Sequence, residues 1–361
     1  MNMLLSILIS FFASFITTAI FTPLCIPVIK KLGFVDDPKT HKHPAMLHTK
    51  PIPRGGGIPL FLGIALPGLF LLPKTPITIA IFGASLIALI VGTLDDKYDI
   101  SRYFRLVINV VCALIVVGAG VGIPFVTNPF GGILHLDTIQ VSLTLFGALI
   151  HIPIISSLLA LLWIVWTMNM LNWSKGVDGQ MPGVVAISAA VIGLLSLRFP
   201  LTDQSAFIAS HLSFLISGAA VGFLLYNFHP AKIFPGYGAT SVYLMLAVVA
   251  LLSGAKLATA ILVMGVPMID GLFTVVRRVA SGKSPFWHDK KHLHHLLLQL
   301  GYSQRAIALF YWVISAILGA VSLTLSSAGK AFALVMLAVI AGGGLLFLHR
   351  VLRIRDEKNS L

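Results

Sequence analysis

The sequence predicts an all-α protein: a polytopic bundle of about eleven membrane-spanning helices, amino terminus outside and carboxyl terminus cytoplasmic. Three observations predict it. Apolar residues make up 57% of the 361 residues and charged residues only 10%, against roughly 25% charged in a soluble domain. So few charges cannot cover the surface of a water-soluble chain of this length. Apolar runs of about 18 residues or more recur along the sequence. Finally, if the loop from Lys30 to Arg54 is cytoplasmic and the sides alternate from there, 21 of the 25 Lys and Arg fall on the cytoplasmic side. The formal charge of +13 is therefore a topology signal, and no nucleic-acid partner is expected.

The first run, 3–24, has no Lys or Arg before it and is too long for a cleaved signal, so it is expected to be the first spanning helix. The loop after it carries Asp36-Asp37-Pro38 and His41-Lys42-His43 and ends in Pro53-Arg54-Gly55-Gly56-Gly57. Runs at 57–73, 77–94 and 106–124 give the next three helices. The outside loop, about 124–152, has no Lys or Arg, and the alternation Val141-Ser142-Leu143-Thr144-Leu145 predicts a short strand or an interfacial segment. Runs at 152–170, 183–199, 206–226, 239–253, 257–275, 306–325 and 331–348 complete the bundle. No long polar linker interrupts them, so a single integral-membrane domain over 1–361 is expected. Cys25 and Cys112 both lie inside apolar runs, which gives no disulfide framework. No internal repeat is evident, which counts against an inverted-repeat transporter or flippase.

The acids are unusual: 11 Asp and one Glu, Glu357. Only Asp137 and Asp203 fall outside, so both charge signs gather at the cytoplasmic face. Mixed charge at the mouth of a bundle suits an anionic substrate with a metal. The run at 77–94 ends in Asp95-Asp96-Lys97-Tyr98-Asp99. Paired carboxylates there oppose the helix dipole; they supply oxygen ligands for Mg²⁺ or accept a proton, or else form a solvated helix end with Lys97. The run at 152–170 leads into Asn169-Met170-Leu171-Asn172-Trp173-Ser174-Lys175-Gly176-Val177-Asp178-Gly179. Its two Asn share a helix face and its glycines permit a tight turn near a ligand, although Asn, Gly and Asp are also ordinary turn formers. Asp270 lies within an apolar run beside Pro267, where an acid is expensive and functional by default; the alternative is a structural partner for Arg277 or Arg278. Lys290-Lys291-His292-Leu293-His294-His295 reads as a phosphate or transition-metal site or as a basic surface, with no Cys or Glu at zinc spacing. Gly282-Lys283-Ser284 is not a P-loop, because Arg277 stands where its first glycine would be. Gly55-Gly56-Gly57 at a helix start would expose N–H groups to a phosphate, or form a plain turn.

In this order, these segments resemble the polyprenyl-phosphate N-acetylhexosamine-1-phosphate transferases, the group that includes bacterial GlcNAc-1-phosphate transferases and phospho-MurNAc-pentapeptide translocase. The likeness runs from about Gly33 to Gly301. Its best pieces are Asp36-Asp37-Pro38 leading to Arg54-Gly55-Gly56-Gly57, Asp95 to Ile100, Pro267-Met268-Ile269-Asp270, and Ser284-Pro285-Phe286 followed by His292-Leu293-His294-His295, whose form is closer to the GlcNAc branch.

The resemblance implies transfer of a sugar-1-phosphate, such as GlcNAc-1-phosphate, from a UDP-sugar to undecaprenyl or another polyprenyl phosphate at a bacterial plasma membrane. UMP leaves, and the product starts a cell-envelope glycan. It implies Mg²⁺, or Mn²⁺, held by Asp95, Asp96 and Asp178. It implies catalytic roles for Asp95 and Asp96, with Asp270 and Lys175 as further catalytic candidates of this sequence, and substrate contacts from Arg54, Lys97, Asn169, Asn172, Gly176, His292, His294 and His295. A homodimer paired through apolar faces is a further expectation. Two positions depart from the family. Its pattern Asn-x-x-Asn-x-x-Asp-Gly-x-Asp-Gly has Lys175 at the first Asp, and its Gly-Asp-x-Gly-Ser has Tyr237 at the Asp. Two carboxylates are lost and one cation gained, so divalent-metal affinity is expected to weaken and Lys175 to take over part of the metal's charge. The alternative is a catalytically silent relative that binds polyprenyl lipid or nucleotide sugar.

Overall fold

The computed structural model describes residues 3–38, 48–128, 131–145, 148–200, 202–252, 257–285, 287, 289 and 291–359. His41, Lys42, His43, Phe286 and Lys290 of the motifs above lie outside them. The chain is mostly helical. Each apolar run forms helix: α1 (Met3–Lys31), α2 (Gly57–Leu71), α3 (Pro76–Tyr98), α4 (Arg102–Gly118), α5 (Ile154–Trp173), α6 (Gln180–Ser196), α7 (Gln204–Asn227), α8 (Thr240–Val249), α9 (Leu257–Val263), α10 (Gly265–Ala280), α12 (Gln304–Thr324) and α13 (Ser327–Asn359). The short α11 (Leu293–Gln299) carries the histidine motif.

Among the described residues, six helices are long and apolar enough to cross a membrane, and a seventh span results if α9 and α10 count as one. That pair corrects the unbroken run expected at 257–275, because it bends by 83° at Met264. Pro267 falls in the first turn of α10, where proline needs no donor and a fresh helix start is favoured. The all-α expectation is also corrected in detail. Short antiparallel pairs join Val35–Asp36 to Ile52–Pro53, Phe125–Thr127 to Ile133–His135, and Gln140–Leu145 to Ala148–Pro153. The last contains the alternating segment read as a strand or an interfacial piece.

The packing is that of a membrane bundle, with small residues inside and large apolar ones outside. On α1 the buried stripe is Ser10, Ser14, Thr18 and Thr22, while Leu8, Phe12, Ile16, Ile20, Leu24 and Val28 face outward at a spacing of four. The Ser14 hydroxyl donates to Gly63 O at 2.8 Å and to Leu215 O at 2.6 Å, tying α1 to α2 and α7. Gly218 and Gly222 of α7 lie so close to the α1 backbone that a Cβ would meet Phe11 O and Phe15 O at 2.1 and 2.6 Å. Only small residues at four-residue spacing permit this approach. Helices α7 and α8 form the buried centre, and α13 lies at the periphery. One apolar core runs through α2 to α8 and on to α12.

Candidate active site

A cavity of about 1090 Å³ lies where the ends of α3 and α5 meet the loops before α2, α6, α8 and α11. Every residue expected to be catalytic, to hold the metal or to touch substrate lines it except Asp270: Arg54, Asp95, Asp96, Lys97, Asn169, Asn172, Lys175, Gly176, Asp178, His292, His294 and His295. Among the described residues, nine Lys or Arg and six Asp line it, a cation excess that suits a polyphosphate.

The Asp pair sits in the last turn of α3, buried, and Asp99 ends the helix in the left-handed region (φ 47°). Arg105 Nη1 donates to both oxygens of Asp95, at 3.2 and 2.9 Å. Asp96 accepts from Tyr237 N at 2.7 Å and Gly238 N at 3.4 Å, and pairs with Arg54 Nε at 3.0 Å. These charge-assisted bonds offset the penalty that burial imposes on two carboxylates. The 236–239 segment reaches them because glycines clear its path. A Cβ on Gly92 would stand 2.6 Å from Gly238 Cα, and one on Gly236, itself at φ +68°, would stand 2.1 Å from Asp96 Oδ2.

Lys175, just past α5, donates from Nζ to Gly236 O at 2.9 Å. Burial, and then the Arg54 guanidinium, lower its pKa to about 7 against the opposing pull of Asp96 and Asp95. Its ammonium and the Arg105 guanidinium both lie over the Tyr237 ring, 5.8 and 5.0 Å from its centroid, and Asn109 Nδ2 donates to Tyr237 Oη at 3.1 Å. The two positions that depart from the family pattern therefore touch each other. Lys97 Nζ lies over the rings of Phe34 and Tyr98.

On the far wall, Asn169 Nδ2 bonds to Val165 O, while Asn172 Oδ1 is buried without a partner among the described residues. Asp178 Oδ2 accepts from His229 Nδ1 at 2.7 Å and from Ala231 N at 3.0 Å. Gly176 is bare because the His294 ring occupies its Cβ position. Burial and the neighbouring His295 and His292 hold the His294 pKa well below the usual histidine value.

Two expectations are corrected. The N–H groups of Gly55, Gly56 and Gly57 are not presented to a phosphate: they donate to Phe234 O (3.4 and 2.9 Å) and Pro235 O (2.8 Å). Gly56 and Gly57 instead allow Phe223, Phe234 and Gly238 to approach. Asp270 is not the partner of Arg277 or Arg278, since both bond Asp289, at 3.0 and 3.1 Å. Asp270 lies behind the cavity wall and holds His292. Asp95, Asp96 and Asp178, the expected Mg²⁺ ligands, all line the cavity. Each is engaged by protein donors, and among the described residues no three His, Cys, Asp or Glu side chains gather at ligand spacing.

The sequence reading missed Arg105, Asn109, His229 and Asp289. Arg105 had a signal, since two arginines three apart open an otherwise apolar helix directly after the Asp pair. His229 and Asp289 stood in loops with nothing local to mark them.

Residues 78–254 match the family model described as glycosyl transferase family 4. The chain is similar to a probable undecaprenyl-phosphate N-acetylglucosaminyl 1-phosphate transferase of Bacillus subtilis, 30% identical over 334 residues, covering 90% of this chain and 86% of that one. It is 32% identical over 362 residues to a decaprenyl-phosphate N-acetylglucosaminephosphotransferase of Mycobacterium tuberculosis, covering 91% and 84%. An undecaprenyl-phosphate alpha-N-acetylglucosaminyl 1-phosphate transferase of Haemophilus influenzae is 28% identical, covering 87% and 84%. Because a relative 30% identical covers 90% of the chain and the family model matches its centre, the chain belongs to glycosyl transferase family 4.

Proposed function

We propose that this protein transfers a sugar-1-phosphate, most simply GlcNAc-1-phosphate, from a UDP-sugar to a polyprenyl phosphate and releases UMP. The carrying observation is the gathering of Arg54, Arg105 and Lys175 around one buried carboxylate pair in a cavity with excess positive charge. The names of the relatives support the same reaction. The acceptor phosphate attacks the β-phosphorus of the UDP-sugar, and the electron pair of the broken P–O bond leaves on UMP. Arg54, Arg105 and Lys175 neutralise the charge that develops on the transferred phosphoryl group. Asp95 and Asp96 hold those cations in place. Asn172, with its unpartnered Oδ1, offers an acceptor to the nucleotide.

In this reading the fixed cations carry part of the charge that Mg²⁺ would supply, so dependence on Mg²⁺ is weak. The bundle is oriented with its amino terminus outside and its carboxyl terminus in the cytoplasm. The cavity then opens to the side where UDP-sugars are made. The exposed apolar faces of α1 and α13 serve lipid contact or pairing into a homodimer. A second reading, a silent relative that binds lipid or nucleotide sugar, draws on the same capped carboxylates.

The deciding assay is transfer from labelled UDP-GlcNAc to undecaprenyl phosphate by purified protein, titrated with Mg²⁺ and with EDTA as the zero point. Lipid product that persists in EDTA supports the reading with its fixed cations. Product only at millimolar Mg²⁺ keeps the reaction and removes the cation-replacement idea. No product with any common UDP-N-acetylhexosamine, from protein that still binds the lipid, selects the silent relative.

A further inference from the structure

Asp270, Thr274 and Arg278 repeat at a spacing of four and form the buried polar stripe of α10. The stripe faces the segment that leads into α11 and fastens it at three points. Arg278 Nη1 donates to Pro285 O at 2.6 Å, and its Nε to Asp289 Oδ2 at 3.1 Å. Thr274 Oγ1 lies 3.4 Å from His292 Nδ1. Asp270, only 2% exposed, binds His292 Nδ1 through Oδ2 and Leu293 N through Oδ1, both at 2.8 Å.

His292 occupies the position before α11 yet makes no side-chain cap, because its ring is turned toward Asp270. A carboxylate accepts hydrogen bonds and cannot donate one, so the proton resides on Nδ1. That leaves Nε2, which has no protein partner among the described residues, as the ring nitrogen for the cavity that His292 lines. The ring also stacks parallel to His294, centroids 5.6 Å apart. Tautomer, ring plane and ring position are thus all set from behind the cavity wall.

We propose that Asp270 is a positioning residue that keeps His292 as an Nδ1–H imidazole, with Nε2 acting as the proton acceptor for the incoming lipid phosphate. The proposal rests on the transferase reading. The step balances as follows. A singly protonated acceptor phosphate gives its proton to Nε2 as its oxygen bonds to the β-phosphorus. The P–O bond to UMP breaks, and UMP leaves with the electron pair. The imidazolium formed is stabilised by Asp270 and returns its proton to solvent. Asp270 touches no substrate; its whole effect passes through His292.

The test compares kcat and KM of the full-length native protein, Asp270→Asn, His292→Gln and the double variant. An Asn amide can donate to Nδ1 and so favours the wrong tautomer, and each single change should lower kcat by ~10²–10⁴-fold. KM for UDP-GlcNAc and for undecaprenyl phosphate should stay within about threefold, and the double variant should be no slower than the worse single one, as for residues acting as a unit. An Asp270→Asn kcat within about threefold of native, losses that multiply in the double variant, or a loss carried in KM overturns the proposal. Native protein that makes product while Asp270→Asn is unimpaired rejects this inference alone, whereas native protein that makes none rejects both it and the transferase reading. If Asp270→Asn does not accumulate, ¹⁵N-histidine spectra of native protein decide. A signal lost in His292→Gln should report protonation at Nδ1, and protonation at Nε2 alone overturns the proposal.

Discussion

At the scale of single residues, Lys175 is where the chain departs most from ordinary side-chain chemistry. It is half-buried beside two guanidiniums and two carboxylates, and its pKa is lowered to about 7. The ammonium therefore dominates below about pH 7 and is lost as pH rises through it. Affinity for the UDP-sugar should fall as pH rises from about 6 to 8, and Lys175→Arg should flatten that dependence because a guanidinium stays charged. Calorimetric titration of UDP-GlcNAc across this range checks it, and a flat native profile would detach Lys175 from the pyrophosphate. Asp289 shows the opposite shift. Burial opposes its ionisation, but Arg278 and Arg277 outweigh burial and pull its pKa down to about 2. Its folded pKa lies below the unfolded value near 4, so its stabilisation is full above about pH 4 and is lost as pH falls toward 2. Solvent screening leaves about 1–2 kcal/mol. Asp289→Asn should lower the thermal midpoint at pH 7 and by a clearly smaller amount at about pH 2.5, read by scanning fluorimetry in detergent.

At the scale of elements, the site depends on backbones that approach more closely than most side chains allow. Gly176 lets the His294 ring close over the turn after α5, and Gly92 lets the 236–239 segment cross α3. Gly176→Ala should push α11 outward and lower turnover by at least tenfold, while the thermal midpoint moves by only a few degrees. Gly92→Ala should strain the bundle itself, by roughly 1–3 kcal/mol as for an overpacked core. Comparing activity with melting for the two variants separates the site from the scaffold. Part of this was legible in the chain. The periodic apolar runs gave the helices, and the motifs named about half of the cavity wall. The roles of the glycines were not, because a three-glycine run suggests phosphate binding, and only the neighbouring Phe234 and Pro235 carbonyls show that its N–H groups are consumed.

At the scale of the whole molecule, the inside-out pattern of α1 and the polar stripe of α10 assign the surfaces. Large apolar side chains face outward, and the charges collect at one end. With the sidedness proposed above, a reporter fused after α13 should be active only in its cytoplasmic form. One placed in the 133–140 hairpin region should be active only on the other side. Reversed activities would turn the cavity away from the compartment of the proposed nucleotide substrate and undo the functional reading.

Composition, run length and charge asymmetry were enough to specify a helical membrane bundle, because the bilayer accepts few other backbones and leaves a one-dimensional signature of spans. The order of the motifs was enough to specify the family. What they left open was pairing. Asp95, Asp96, Asp178 and Asp270 read alike along the chain, as acids near apolar runs. Folding gives each a different partner: Arg105, Arg54, His229 and His292. Those partners come from segments between ten and more than fifty positions away, and electrostatic coupling of a buried charge depends on distance in space, which sequence spacing does not encode.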